Sequence, residues 1–338
     1  MIPTISVQEA LKTNHIFIDT RTPKEFTEDH LPNAINIPIL SNEEREVVGT
    51  LYVQVSKEEA IDKGVELFSQ KLPTFMKEIN QYRNQTLIIN CWRGGMRSRA
   101  VVALLNSLGY DVMQLEGGYK SFREYVREKL YNYEFKPTLI VMWGLTCTGK
   151  TKILHYFPNS LNLEGLAQHR SSLFGGIGLT PHSQKHFENL LLRKLEELNQ
   201  EEVVIVEGEG RRIGDVIIPE NIWKKILKGK NVHIVGNLDK RADVAVEEYM
   251  KKEENIHQIK EVTQRLWKVI SKENQQKVID FIDQKDYFSA ARILLEFYYD
   301  PLYSHTLKQI KFDTEINTDD IETAVKELND FSSSLKCK

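Results

Sequence analysis

The sequence of 338 residues has only three cysteines, no internal repeat and no long hydrophobic run. Cysteines at positions 91, 147 and 337 form neither an even disulfide framework nor a CxxC pair. This excludes a disulfide-rich fold and turns attention to single thiols. No apolar stretch approaches the roughly 18 residues that a transmembrane helix requires. We therefore expect no membrane segment and no metal cluster.

Charge of neither sign dominates, because 45 basic residues stand against 48 acidic residues and the net charge is -3. This balance argues against a uniformly basic surface, although a local basic groove for nucleic acid remains compatible with it. The first residues lack the basic and apolar segments of a secretory signal, so we expect a cytoplasmic protein. At about 150 residues per domain, the length predicts two domains.

Short strand-like runs alternate with helical patterns in both halves of the chain, which predicts an α/β fold with parallel sheets. Predicted strands cover residues 16–19, 86–90, 138–143, 203–206 and 232–235. A polar, aromatic stretch at 131–137 marks the boundary, so the predicted domains are 1–131 and 137–338. From about residue 241 the second domain becomes helical, and residues 332–338 are expected to form a frayed tail.

The first candidate site is a thiol loop at the end of a predicted strand. Cys91 is followed by a glycine-containing turn and a helix, a combination that directs backbone amides at one point and binds anions. Beside Arg93, Arg97 and Arg99, such a cysteine is expected to be a nucleophilic thiolate. The loop comprises Trp92, Arg93, Gly94, Gly95, Met96 and Arg97. The alternative, a small buried residue at a strand end, fits the glycines and arginines less well.

The second candidate site is a phosphate-binding loop. Residues 144–151 match G-x-x-x-x-G-K-[ST] after a predicted strand and before a helical stretch. In such loops the amides surround phosphate oxygens, Lys150 neutralises a terminal phosphate and the Thr151 hydroxyl can bind Mg²⁺. We interpret Cys147 as a small filler residue. The candidate phosphate-binding residues are Gly144, Thr146, Cys147, Thr148, Gly149, Lys150 and Thr151.

Polar residues downstream extend this second site. Glu207 and Glu209 follow a predicted strand, where a carboxylate beside a P-loop would hold Mg²⁺ or position water. A segment at 163–170 concentrates polar side chains and glycine, as loops that carry sites often do. Further candidates are Glu164, His169, Arg170 and Arg212.

The thiol loop resembles that of the rhodanese superfamily, with supporting matches at residues 19–21, 25–26, 30–38 and 115–119. One difference is informative, because five residues separate Cys91 from Arg97 where the usual sulfur-transferring loop has four. Cys-x5-Arg phosphatases and arsenate reductases have the wider loop, so a tetrahedral oxyanion is a competing ligand. That reading is weakened by Asn90 in place of His before the cysteine.

A rhodanese-like domain fused to a P-loop domain resembles the tRNA 2-selenouridine synthase family. The specific matches are Asn42–Arg45, Val48–Thr50, Cys91–Ser98, Gly117–Lys120, the P-loop, Leu163–Ala167, His169–Arg170, Arg212–Gly214 with Ile218–Pro219, and Tyr298–Pro301. Several positions depart from the patterns of these families. Asp29 and Asn33 stand where rhodanese-like domains often have glycine. In the synthase pattern, glycine is usual at the positions of Cys147 and Ser171, Asp at that of Asn162, and Asp and Ser at those of Gly208 and Gly210.

The resemblance implies a two-step reaction on tRNA with 2-thiouridine at the wobble position. Geranyl diphosphate alkylates the sulfur, and selenium from selenophosphate, supplied by a selenophosphate synthetase, then displaces the S-geranyl group. Cys91 would accept selenium as a perselenide, and the P-loop would hold the diphosphate, with ATP the less favoured ligand. No tightly bound cofactor is implied, although Mg²⁺ fits the P-loop. For tRNA contacts we expect the arginines near both loops and the aromatic pair Tyr298 and Tyr299.

Two other functions remain open from the residues alone. One is a Cys-x5-Arg phosphatase or arsenate reductase regulated by a nucleotide-binding domain. The other is a nucleotide-switched binding module with an unreactive thiol.

Overall fold

A computed structural model of the protein describes residues 2–266 and 269–336. The chain divides into two compact units, one up to Leu130 and the other from Tyr131 onward. Each unit contains its own five-stranded parallel sheet with helices between successive strands. The expected α/β class is thus confirmed. Cys337 lies outside the described residues.

The sheet of the first unit has the order β1-β5-β4-β2-β3, and every neighbouring pair is parallel. The strands are β1 Thr4–Ile5, β2 Ile16–Asp19, β3 Ile35–Asn36, β4 Leu87–Asn90 and β5 Val112–Leu115. The helices are α1 Val7–Ala10, α2 Pro23–Glu28, α3 Asn42–Gln54, α4 Lys57–Ile79, α5 Met96–Ser107 and α6 Gly118–Tyr131. Strand β4 is central and fully buried. A parallel strand covered on both faces reads as a continuous apolar run, which is why this element is visible in the sequence.

Three helices of this unit begin with a capping box, in which an N-cap hydroxyl and a glutamate three residues later satisfy each other's backbone amides. The pairs are Ser6 with Glu9, Thr22 with Glu25, and Ser41 with Glu44. The second pair matters for function because it fixes Glu25, which also contacts the thiol loop.

A buried charged network joins β2 to α6. Arg21 is fully buried, forms an ion pair with Asp19 at 2.7 Å and donates a hydrogen bond to the Asp29 carbonyl. Its guanidinium lies 3.8 Å from the centroid of the Tyr119 ring, and the Tyr119 hydroxyl donates to the Asp29 carboxylate. Because buried charges are stable only when paired, this network fixes the start of α6, which supports the thiol loop.

The sheet of the second unit has the order β12-β11-β6-β8-β7 and is also fully parallel. Its strands are β6 Thr138–Trp143, β7 Ser160–Leu161, β8 Val203–Glu207, β11 Lys230–Val235 and β12 Thr314–Asn317, and a separate hairpin pairs β9 Arg212–Ile213 with β10 Val216–Ile217. The first helices are α7 Lys150–Leu154, α8 Leu163–Ala167, α9 Gln184–Leu198 and α10 Glu220–Ile226. Strand β6 occupies the centre, so the P-loop that follows it starts beside the ends of β8 and β11.

The helical region expected from about residue 241 is present and has its own apolar cluster. Its elements are α11 Leu238–Tyr249, α12 Glu253–Gln264, α13 Lys272–Asp283, α14 Tyr287–Leu294, a π-helical turn Leu295–Tyr299 and α15 Asp300–Leu307. Buried side chains from these helices pack with Phe174 and Ile177.

The end of the chain returns to the sheet. Strand β12 pairs with β11, and α16 Ile321–Lys336 packs its buried face against the core of the second unit. The expectation of a frayed tail is therefore wrong for residues 332–336, because Ser332 is buried within a continuous amphipathic helix. Among the described residues, none of the helices combines the length and apolarity needed to cross a bilayer.

Candidate active sites

The thiol loop between β4 and α5 is supported from behind by the turn that starts α6. The amide of Tyr119 donates to the Cys91 carbonyl, and the amide of Lys120 donates to the Trp92 carbonyl, both at 2.9 Å. A Cβ atom at Gly118 would lie 2.3 Å from the Cys91 carbonyl oxygen, and Gly118 has a φ of +60°. Only glycine permits this close approach, which explains the glycine pair before Tyr119.

The sulfur of Cys91 is buried and lies 3.2 Å from the Ser98 hydroxyl oxygen. Gln114 on β5 donates its side-chain N–H to the same Ser98 oxygen and to the Gly94 carbonyl, at 2.8 Å each. Because Gln114 occupies an acceptor position of Ser98, the Ser98 hydroxyl proton can be donated to the sulfur. This pair therefore places a hydrogen-bond donor at the Cys91 sulfur, a contact that no local sequence pattern marks.

The charged residues of this loop differ in their surroundings. Arg97 forms a two-point ion pair with Glu25, with N–O distances of 2.9 and 3.3 Å. Burial alone would raise the Glu25 pKa, but the hydrogen bond and charge of Arg97 outweigh this and lower it. Arg93 is exposed, as are Gly95 and Met96. Arg97, which is expected to hold an anion at the thiol, is thus already paired with the Glu25 carboxylate. An anionic ligand would have to compete with this carboxylate for Arg97.

The P-loop connects β6 to α7 and is held from three sides. Lys150 donates its ammonium protons to the carbonyls of Gly144 and Leu145 at 2.9 and 3.0 Å. Arg241, ion-paired with Asp300, donates to the Thr146 carbonyl at 2.9 Å. Thr318, after β12, donates to the Thr148 carbonyl at 2.7 Å. Residues from α11, α15 and the region after β12 therefore preform the loop.

The P-loop borders a cleft with an empty volume of about 580 Å³. Besides the predicted loop residues, the cleft is lined by Glu164, Arg170, Gly208, Glu209, Glu248, Tyr249 and Tyr303. Desolvation raises the pKa of the Cys147 thiol to about 12. This cysteine is therefore protonated at neutral pH, in agreement with its interpretation as a filler and not as a second nucleophile.

Three glutamates meet behind the P-loop. Desolvation and the charge of Glu209 raise the pKa of Glu207 to about 7, and Lys150 and Thr151 oppose this shift. The pKa of Glu209 is raised by desolvation, and that of Glu164 is raised well above its ordinary value by desolvation and by the other two carboxylates. A cluster of this kind gains stability from protons or from a cation.

The chemistry of the donors fits Mg²⁺. The Thr151 hydroxyl donates to the Glu207 carboxylate at 3.3 Å, so two hard oxygen donors meet at the end of the P-loop. Within the described residues, no group of three or more His, Cys, Asp and Glu side chains is arranged to hold a metal ion. When bound, Mg²⁺ would neutralise charge on a phosphate held by the loop, with Thr151 and Glu207 as its protein contacts.

The glutamate cluster predicts a pH-dependent stability. In EDTA and without ligand, we expect the free energy of unfolding to fall as pH rises from 4.5 to 7, between the ordinary and folded pKa values of Glu207. The folded state retains a proton that the unfolded chain releases, which amounts to about 3 kcal/mol over this interval. Urea unfolding at several pH values measures the slope.

Glu207→Gln is expected to flatten that slope. The matched control is Glu273→Gln, because Glu273 is exposed and its ion pair with Lys277 lowers its pKa. If Glu207→Gln kept the full slope of the unchanged protein, the carboxylate cluster would not be its source.

The remaining predicted residues are distributed over several places. The His169 ring fits between glycines, because a Cβ at Gly175 or Gly214 would come within 2.7 Å of it, and burial lowers the His169 pKa. Arg170 lies at the cleft, 4.5 Å above the Tyr249 ring. Arg212 does not line the cleft. It is exposed on the β9–β10 hairpin and pairs with Asp215.

Tyr298 and Tyr299 do not form the exposed aromatic platform expected for a tRNA base. Both are buried in the apolar cluster of the helical region, at 6% and 5% exposure. The Phe174 ring packs against both of them. The expectation was wrong because aromatic residues at helical spacing pack in cores as readily as they stack on bases.

Comparisons with known proteins cover both units. A family model described as the tRNA 2-selenouridine synthase AAA domain matches residues 137–285, and one described as the rhodanese-like domain matches residues 5–125. A tRNA 2-selenouridine synthase of Hydrogenovibrio crunogenus is 31% identical over 95% of this chain and 98% of its own length. The chain belongs to the tRNA 2-selenouridine synthase family.

Two further matches cover a smaller part of this chain. The tRNA 2-selenouridine synthase of Nitrosomonas europaea is 38% identical over 69% of this chain, and the match spans 63% of that protein. A crystal structure of the N-terminal domain of a putative ATP/GTP binding protein from Clostridium difficile 630 aligns with 36% of this chain and 98% of its own, at 45% identity and a TM-score of 0.36.

Three residues of this tRNA 2-selenouridine synthase family member that the sequence marks as replacing an expected glycine have left-handed backbones. Asn33, Cys147 and Ser171 have φ values of 56°, 61° and 55°. The backbone thus keeps the left-handed conformation that glycine adopts freely, and this chain has side chains there despite the strain. At position 208 a side chain is excluded by packing, because a Cβ on Gly208 would lie 2.3 Å from the Trp143 ring.

Ser171→Gly is expected to stabilise the protein by roughly 0.5–1 kcal/mol. Removing the Cβ relieves the left-handed strain at a φ of 55°, and the greater freedom of glycine in the unfolded chain offsets part of the gain. Urea unfolding measures the change. Ser171→Ala is the control, because it keeps the Cβ. An equal gain in both variants would point to the hydroxyl and not to backbone strain.

Proposed function

We propose that the protein converts 2-thiouridine at the tRNA wobble position to 2-selenouridine through an S-geranyl-2-thiouridine intermediate. The observation that carries the proposal is that one chain of this family contains both a preformed thiol loop and a preformed P-loop with its strand-end carboxylate. Geranyl diphosphate and selenophosphate are the proposed co-substrates, the latter supplied by a selenophosphate synthetase. We propose that the enzyme is a transferase and that it acts in the cytoplasm.

The second unit is proposed to carry out the prenyl transfer. The sulfur of 2-thiouridine attacks the first carbon of geranyl diphosphate, an S–C bond forms, the C–O bond breaks and the diphosphate leaves. The P-loop amides and Lys150 stabilise the negative charge that develops on the departing diphosphate. In the ligand-free protein Lys150 bonds to two loop carbonyls, which hold it at the site until a phosphate competes for it.

The first unit is proposed to release the selenium. Selenium in selenophosphate is at the selenide oxidation level, so a perselenide on Cys91 would need a two-electron oxidant, and we propose that the Cys91 sulfur attacks the phosphorus instead. An S–P bond forms, the P–Se bond breaks and hydrogen selenide is released, while Ser98, oriented by Gln114, donates a hydrogen bond at the Cys91 sulfur. Hydrogen selenide then attacks C2 of the S-geranylated base, the C–S bond breaks, geranylthiol leaves, and water hydrolyses the S–P bond to release phosphate. Alkylation matters because sulfur departs more readily as a thiol than as sulfide from the unmodified base. The exposed Arg93 is available for the phosphates of tRNA.

A phosphatase or arsenate reductase is the second candidate, and one observation favours it. The Cys91-x5-Arg97 loop has Ser98 in hydrogen-bond contact with the sulfur, an arrangement that also suits a thiolate attacking a tetrahedral oxyanion. Hydrolysis of an aryl phosphate that depends on Cys91 would support this candidate.

Nucleoside mass spectrometry tests the proposal. The purified protein is incubated with 2-thiouridine tRNA, geranyl diphosphate, selenophosphate and Mg²⁺, and the digested tRNA is analysed. We expect S-geranyl-2-thiouridine when selenophosphate is omitted and 2-selenouridine when both are present. Absence of both nucleosides would refute the proposal, and ATP in place of geranyl diphosphate serves as the control.

A further inference from the structure

We infer that an apolar pocket enclosed by the helical region of the second unit binds the hydrocarbon tail of the prenyl diphosphate and limits its length. This inference rests on the proposed function, which places the diphosphate at the P-loop. Its subject is the separate pocket beside the P-loop, most of whose lining residues belong to no motif in the sequence.

The pocket adjoins the phosphate cleft directly. Thr146, Cys147 and Tyr249 line both cavities, so the P-loop side chains separate a polar space from an apolar one. The apolar side has an empty volume of about 350 Å³ and continues along Phe174, Ala291 and Leu294. An amphiphilic ligand could therefore place its charged head at Lys150 and its tail against the apolar side chains of these helices.

The lining of the pocket favours a hydrocarbon over a nucleoside. Its walls are almost wholly apolar side chains from α11, α12, α14 and the π-helical turn. A ribose and a base would lose hydrogen bonds to water there and find few replacements, a cost that an alkyl chain does not have. Each methylene transferred from water into such a pocket strengthens binding about fourfold.

Two neighbouring positions on the pocket wall differ in side-chain size. On α14, Ala291 and Leu294 are one helical turn apart, and both line the pocket. The small side chain leaves room and the larger one fills it, so substitutions at these two positions are expected to change the accepted chain length in opposite directions.

The test compares binding of pyrophosphate, geranyl diphosphate and farnesyl diphosphate to the full-length protein by calorimetry. We expect the unchanged protein to bind geranyl diphosphate at least tenfold more tightly than pyrophosphate. Leu294→Ala should improve farnesyl over geranyl binding at least fivefold. Ile282→Ala is the matched control, because Ile282 has the same 5% exposure in the same cluster but does not line the pocket.

A second variant keeps the test decisive if Leu294→Ala fails to fold. Ala291→Leu is expected to weaken geranyl diphosphate binding at least fivefold and leave pyrophosphate binding unchanged. If Leu294→Ala and Ile282→Ala showed the same farnesyl-to-geranyl ratio, or Ala291→Leu bound geranyl diphosphate normally, the pocket would be wrong and the proposed function would stand. Equal binding of pyrophosphate and geranyl diphosphate by the unchanged protein would also rule out the pocket, whereas absence of S-geranyl-2-thiouridine in the nucleoside assay would contradict the proposed function itself.

Discussion

Replacing Cys91 by serine is expected to reduce 2-selenouridine formation about a thousandfold or more while S-geranylation continues. Serine is close in size to cysteine, and the Ser98 hydroxyl 3.2 Å from the sulfur would remain a partner for the new oxygen. The loop is therefore expected to keep its fold. A serine hydroxyl is a much weaker nucleophile toward selenophosphate than a cysteine sulfur, so the chemistry alone is removed. S-geranyl-2-thiouridine should accumulate in the variant.

Nucleoside mass spectrometry after a timed reaction measures both products. Cys147→Ser is the matched control, because desolvation raises the pKa of that thiol and leaves it protonated. On RNA that already has S-geranyl-2-thiouridine, which bypasses the P-loop step, this variant is expected to retain selenation. In the unchanged protein, mass spectrometry of the peptide around Cys91 after brief treatment with selenophosphate should show one added phosphoryl group. Normal 2-selenouridine formation by Cys91→Ser would remove Cys91 from the mechanism.

The Ser98–Gln114 pair beside the Cys91 thiol is a feature of the site that could not be predicted from the sequence. The loop from Cys91 to Arg97 could be predicted because its residues are contiguous and sit between a strand and a helix. Gln114 could not be assigned, because its contact with Ser98 depends on β5 pairing beside β4. The Glu25 partner of Arg97 is 72 positions away in the sequence and is fixed by the α2 capping box. Contacts between distant segments are set by sheet order, which local patterns do not encode.

The second unit shows the same limit at a larger scale. The P-loop motif and its strand were predictable, whereas the cavity beside it depends on packing among four helices. Strand β12 pairs with β11, which lies more than 80 residues earlier in the sequence. Because β12 has only four residues of modest hydrophobicity, the sequence did not predict this strand. The departures at Cys147 and Ser171 were visible as residues, but their meaning required the φ values. Identity at a position can be read from the sequence, and strain at a position cannot.

The balance of charge at the P-loop determines what a ligand must supply. Glu164, Glu207 and Glu209 all have raised pKa values, and Lys150 acts against each of these shifts. A diphosphate brought to this site is therefore attracted by the loop amides, Lys150 and Arg170, and repelled by nearby carboxylates unless these are protonated or share a cation. Because Arg170 is paired with Glu248, the affinity for the ligand depends strongly on the Lys150 ammonium group.

Lys150→Met is accordingly expected to reduce S-geranylation of tRNA by about a hundredfold to a thousandfold, the usual cost of losing a group that stabilises charge on a leaving group. Methionine keeps most of the aliphatic stem and removes the charge. Lys152→Met is the control, because Lys152 lies on the same helix but pairs with Glu247 at the surface. Selenation of RNA that already has S-geranyl-2-thiouridine should proceed normally in Lys150→Met, since the thiol loop is untouched. Loss of that rescued reaction would show that Lys150 serves the selenium step or the fold, and unimpaired geranylation would show that the P-loop does not hold the diphosphate.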